Sequence, residues 1–79
     1  MQHSTPLVIL AVDDEPGVLA LVRRCLDDDR LTLLEASSGT DALEHLTPGR
    51  ALDLLLTDLR MPDMEGDELA REFRRLQPD

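Results

Sequence analysis

Three apolar runs alternate with segments of helical period, and this alternation restricts the fold more than any other feature. Leu7–Val12 (LVILAV), Leu31–Ala36 (LTLLEA) and residues 52–57 (LDLLLT) are short and nearly continuous in their apolarity. Runs of that kind suit strands covered on both faces, as in parallel sheets. Between them, Val18, Leu21, Val22, Cys25 and Leu26 recur at helical spacing, as do Ala42, Leu43 and Leu46, and later Leu69, Ala70, Phe73 and Leu76. The order β-α-β-α-β-α implies an α/β fold with a parallel sheet and right-handed crossovers.

Local signals place the helix ends. Pro16 fits the first turn of the first helix, with Asp14 or Glu15 expected to cap it. Asp27-Asp28-Asp29 opposes the dipole at a helix C-terminus, so that end is expected to fray into a solvated acidic stretch. Ser38 and Asp41 form a Ser-x-x-Asp box opening the second helix, and Thr47-Pro48-Gly49 closes it. Gln77-Pro78-Asp79 stops the third.

Charge and composition narrow the function. Asp and Glu number 17 against 8 Lys plus Arg, a formal net charge of -9, and every one of those cations is an arginine. An acidic chain of this kind is not expected to bind nucleic acid. The single cysteine, Cys25, cannot form an internal disulfide or a thiolate zinc site, and it is expected to be a small buried hydrophobe. No apolar run approaches the ~20 residues of a membrane span, so no membrane association is expected and the setting is expected to be cytoplasmic. His3 and His45 have no assigned role, with His45 placed on a solvated face.

Function in an open parallel sheet gathers at the carboxyl ends of the strands. Here the first run ends in Asp13-Asp14-Glu15 and the third in Asp58. If those strands are neighbours, three aspartates share one shallow cleft and repel each other unless a cation lies between them. Hard oxygen ligands suit Mg²⁺, which takes one or two carboxylates directly and keeps several waters. Other hydrolytic or metal readings fail. There is no His-x₃-His spacing for zinc, Arg60 breaks an Asp-x-Asp phosphatase pattern, and Met-Pro occupies a loop where an EF-hand needs oxygen ligands.

Asp13-Asp14 after the first strand, Asp58 after the third, and Met61-Pro62-x-Met64-x-Gly66 in the next loop resemble the receiver domain of bacterial two-component response regulators. The resemblance runs from about Leu7 to Asp79, after an N-terminal tail of residues 1–6. It implies a flavodoxin-like fold with strand order 2-1-3. It also implies that Asp58 accepts a phosphoryl group from a sensor histidine kinase. Asp14 and Asp58 would ligate Mg²⁺ directly, Asp13 through water, and the backbone carbonyl of Arg60 would complete the protein ligands. Met61 and Met64 are expected to pack the loop, and Pro62 and Gly66 to shape it. An enzyme with its own turnover is not expected.

The family pattern continues with a fourth strand ending in Ser or Thr, a fifth ending in Lys, and final helices. The chain is thus expected to be a receiver truncated after its third helix, and it contains no lysine. The third strand would then be an apolar edge with Asp53 as its one gatekeeper, open to self-association. The alternative function is a half-receiver that is not phosphorylated and serves as a protein-binding or dimerisation module.

Overall fold

The computed structural model describes residues 6–46, 52–58 and 60–76. Strand β1 (Leu7–Val12) is followed by helix α1 (Pro16–Cys25), strand β2 (Leu31–Ala36), helix α2 (Gly39–His45), strand β3 (Leu54–Thr57) and helix α3 (Gly66–Leu76). The three strands form one parallel sheet in the order β2-β1-β3. The expected alternation, order and strand direction are all present. Thr47-Pro48-Gly49, Gln77-Pro78-Asp79 and most of the N-terminal tail lie outside the described residues.

Strand periodicity divides the core between two faces. Leu10 and Val12 of β1 join Ala36, Ala42, Leu46, Leu52, Met61 and Leu69 in the main cluster under α2 and α3, with Phe73 and Leu76 packed against it. Ile9 and Ala11 face the other way and are also buried. Among the described residues that face carries only α1, and its cover is partial. Leu19 is the buried residue of α1, while Leu21 remains 59% exposed and Cys25 is exposed as well. The expected burial of Cys25 is therefore corrected. An apolar stripe needs a partner to bury it, and among the described residues nothing packs over Leu21 and Cys25. Arg23, on the same helix, reaches β2 instead. Its Nε and Nη2 donate to the two carboxylate oxygens of Glu35 at 2.8 and 2.6 Å, which explains a charge inside the run LTLLEA. His45 is partly buried rather than solvated.

Strand β3 begins two residues later than expected because Asp53 changes the pairing. Its N–H still donates to the Val8 carbonyl at 2.8 Å, but its Oδ2 accepts the Val8 N–H at 2.8 Å. A side chain thus takes the place of a ladder carbonyl. Asp53 is turned toward β1, and Leu54 and Leu56, paired with Ile9 and Ala11 and so on the α1 face of the sheet, remain 46% and 38% exposed.

Two helix termini also depart from expectation. Neither Asp14 nor Glu15 caps α1 with its side chain; Glu15 is the N-cap without a side-chain bond, and its own N–H donates to Asp13 Oδ1 at 2.9 Å. At α2 the Ser38 hydroxyl accepts the Asp41 N–H at 3.0 Å as expected. The return bond, however, runs from the Ser37 N–H to Asp41 Oδ2 at 3.1 Å. The acidic triplet after α1 is not merely solvated. Asp28 accepts Arg30 Nε and Nη2 at 3.0 and 2.8 Å and the Arg30 N–H at 2.7 Å. Those bonds hold its carboxyl down to about 2. On α3, Asp67 and Arg71 form an i,i+4 pair at a loose 3.8 Å.

Candidate functional site

The sheet register brings the acidic residues together. Val12 pairs with Thr57, and the backbone contacts continue one residue further. The Asp13 N–H donates to the Ala36 carbonyl at 3.1 Å and the Asp58 N–H to the Val12 carbonyl at 3.2 Å. Asp13 and Asp58 therefore stand one residue beyond the last paired positions of adjacent strands, each held there by its backbone N–H. Asp14 follows Asp13 where the chain turns toward α1. Carboxylate oxygens of Asp13, Asp14 and Asp58 all lie within 4.8 Å of one another, with Asp13 partly buried and the other two exposed. All three residues singled out in the sequence thus meet at one point. Glu15 is exposed at the start of α1.

Three carboxylates at this separation repel one another. The donor set consists of hard oxygens alone, without sulfur or imidazole, and it suits Mg²⁺ better than a softer metal. Asp13 has one oxygen committed to the Glu15 N–H, so its second oxygen is held in place and available. A groove of about 230 Å³ adjoins the site; it is lined by Asp13 and Asp58 together with Val18, Leu19 and Val22 of α1 and Leu56 of β3.

Residues 60–65 form a tight turn. Met61 and Met64 exchange backbone bonds, N–H to carbonyl at 3.2 and 3.3 Å, around Pro62 and Asp63, and Arg60 bridges Glu65 in antiparallel fashion. Met61 is buried in the main core, and Met64 packs against it. Both methionines pack as expected, and Gly66 is buried at the start of α3. Arg60 is exposed at the base of the turn.

Sequence reasoning missed the far end of this loop. Asp63 Oδ1 accepts the Gly39 N–H at 3.0 Å, and Oδ2 accepts the Thr40 N–H at 2.8 Å and the Thr40 hydroxyl at 2.7 Å. The Thr40 hydroxyl, followed by the two backbone N–H groups, lowers the Asp63 carboxyl to about 2. Beside it, Gly39 is a glycine for steric reasons. A Cβ there would stand 2.6 Å from the Met64 Cβ.

An acidic trio at the carboxyl ends of two adjacent parallel strands lies where an open α/β sheet with helices on both faces collects its functional groups. Residues 9–79 match the response regulator receiver domain model, and the chain belongs to that family. It is 41% identical over 69 residues to the sensor histidine kinase CheAY of Helicobacter pylori, covering 86% of this chain and 9% of that protein. It is 37% identical over 78 residues to the transcriptional regulatory protein GlrR of Escherichia coli, covering 99% of this chain and 17% of that one. A receiver domain structure from Clostridium thermocellum superimposes with a TM-score of 0.81 at 33% identity, over 91% of this chain and 58% of that one. The chain therefore spans a small part of these curated relatives and little more than half of the solved domain. Among the described residues no helix is long and apolar enough to cross a membrane.

Proposed function

We propose that Asp58 is the phosphoacceptor of this receiver domain and that a sensor histidine kinase is the donor. The observation that carries this reading is the convergence of Asp13, Asp14 and Asp58 at the ends of β1 and β3. An Asp58 carboxylate oxygen attacks the phosphorus of the kinase phosphohistidine. The P–N bond breaks, an acyl phosphate forms, and the imidazole leaves with its electron pair and takes up a proton. Asp14 and Asp58 would hold Mg²⁺ directly, Asp13 through water, and the Arg60 carbonyl would supply a further oxygen. A bound Mg²⁺ supplies the positive charge that lets a phosphoryl group approach three carboxylates. Asp58 is held for this role by its backbone bond to Val12, while its side chain stays exposed to a donor. The chain is then the receiving partner of a phosphoryl transfer and not an enzyme with turnover. A cytoplasmic setting fits its free, exposed thiol at Cys25.

Incubation with Mg²⁺ and a small acyl phosphate donor, read by intact mass, tests the assignment. Wild type is expected to gain one phosphoryl group and Asp58→Ala none. Equal labelling of both proteins, or no labelling of wild type under conditions that label a complete receiver, would sink it.

A second reading concerns partners and has its own observation. Asp53 is turned toward β1 rather than guarding the outer edge of β3, and Leu54 and Leu56 are left exposed on the α1 face of the same strand. Self-association through this strand would cover an apolar edge that is otherwise a pairing hazard. Sedimentation across a wide concentration range is expected to show reversible dimers, weakened by Leu54→Lys. A concentration-independent monomer would rule the contact out.

A further inference from the structure

The geometry points to α2 as a conditional helix, its first turn capped by Asp63 from the turn before α3, so that α2 and residues 60–65 open and close as one unit. The helix is too short and too weakly specified to stand by itself. Gly39–His45 has seven residues, well under the roughly 12–15 at which an isolated helix is even marginal in water. It opens on Gly39-Thr40-Asp41, and glycine, threonine and aspartate all rank low in helix propensity. Ala42, and Leu46 at the C-cap, are buried and give the later part of α2 an apolar hold. The first turn has to be held by polar contacts.

N–H groups at the start of a helix have no acceptor within it, and three of them belong to Gly39, Thr40 and Asp41. The Ser38 hydroxyl serves the Asp41 N–H. The other two donate to Asp63, which lies 24 and 23 residues further along the chain and outside the helix. The Thr40 hydroxyl gives Asp63 a third bond. A carboxylate also suits the positive end of the helix dipole. The turn presents Asp63 between the paired Met61–Met64 bonds, with Met61 anchored in the buried core and Met64 against Gly39. Withdrawal of Asp63 leaves two N–H groups of α2 without an acceptor. Fraying of α2 in turn leaves Asp63 and Met64 without their partners. Each half is held by the other, which makes a two-state device: latched, or released with the sheet still paired. It does not depend on any ion at the acidic trio.

Native-state amide exchange of the 79-residue chain, followed by NMR at low urea, tests this. The Ala42 N–H, bonded to the Ser38 carbonyl, reports on α2, and the Met64 N–H, bonded to the Met61 carbonyl, reports on the turn. Amides of one cooperative unit share an opening equilibrium. Both are expected to exchange with the same urea slope, and faster than the central amides of β1. Asp63→Ala is expected to speed exchange at Ala42 and Met64 alike, by about tenfold, the size of a lost cap. Ser38→Ala breaks only the helix's own cap and touches nothing in the turn, yet it is expected to speed exchange at Met64 as much as at Ala42. If Asp63→Ala does not fold, Asp63→Asn and Thr40→Val carry the test, each with a smaller but measurable effect at both amides. Unchanged exchange at Ala42 in the Asp63 variants would overturn the cap. Faster exchange at Ala42 alone in Ser38→Ala would overturn the single unit.

Discussion

Leu10→Ala is expected to leave the chain largely unfolded at room temperature, with the urea midpoint falling toward zero. Leu10 is at the centre of the middle strand and is 0% exposed, in contact with the cluster under α2 and α3. Truncating a buried leucine costs about 2–5 kcal/mol, the spread depending on how far the surroundings collapse into the space. Collapse is restricted here because β1 has a strand bonded on each side. Against this stands a total stability of about 4–12 kcal/mol for a chain of this length, at roughly 0.05–0.15 kcal/mol per residue. The lower part of that range applies, since the α1 side of the sheet has little cover and Leu7 is 54% exposed. The contrasting variant is Leu21→Ala. Leu21 is as apolar as Leu10 but exposed, and its loss is expected to fall within about 0.5 kcal/mol of wild type. Denaturant melts followed by far-ultraviolet circular dichroism would compare the two. Similar losses would mean that the buried cluster does not carry the fold.

The contrast between those two leucines also shows what the sequence could reveal. Period and run length belong to the local chain, and they placed β1 and β2 at their observed bounds and the apolar face of α3 on Leu69, Phe73 and Leu76. The acidic trio was legible because strand ends are where an open parallel sheet collects its functional groups. Coverage is a different kind of property. The α1 stripe reads as core, yet Leu21 and Cys25 are exposed, because periodicity shows that a face is apolar and not what lies against it. Long-range polar contacts were equally hidden. Arg23 and Glu35 are twelve residues apart, and Asp63 meets Gly39 across twenty-four. Only one signal could have suggested the second contact: a glycine just after a Ser cap, where α2 would otherwise favour a residue with a side chain. The Asp53 bond to Val8 was out of reach for a similar reason. A lone charge in an edge strand reads as a guard against pairing, and only the register shows it turned inward.

Asp14→Asn is expected to invert the stability order of two proteins when Mg²⁺ is added. Without divalent cations the three carboxylates, within 4.8 Å of one another, repel, and the charge removed at Asp14 is the one least engaged. Asp13 accepts the Glu15 N–H, and the Asp58 backbone is bonded to β1. The variant should then melt a few degrees above wild type at low ionic strength, where exposed charges are least screened. With Mg²⁺ present the sign reverses. A ligand that binds only the folded state stabilises it by about 2.7 kcal/mol at a hundred times its dissociation constant. For a domain of this size each kcal/mol moves the midpoint by about 4–8 °C. Wild type is expected to gain that rise, while the variant, lacking one of the carboxylates proposed to ligate the ion directly, is expected to gain only a fraction of it. Thermal melts of both proteins with and without Mg²⁺, and with matched Na⁺ to account for screening, would show the crossing. A variant less stable than wild type without Mg²⁺ would contradict the repulsion. Equal gains on adding Mg²⁺ would remove Asp14 from the ligand set, leaving Asp58 and Asp13 to answer the cation alone.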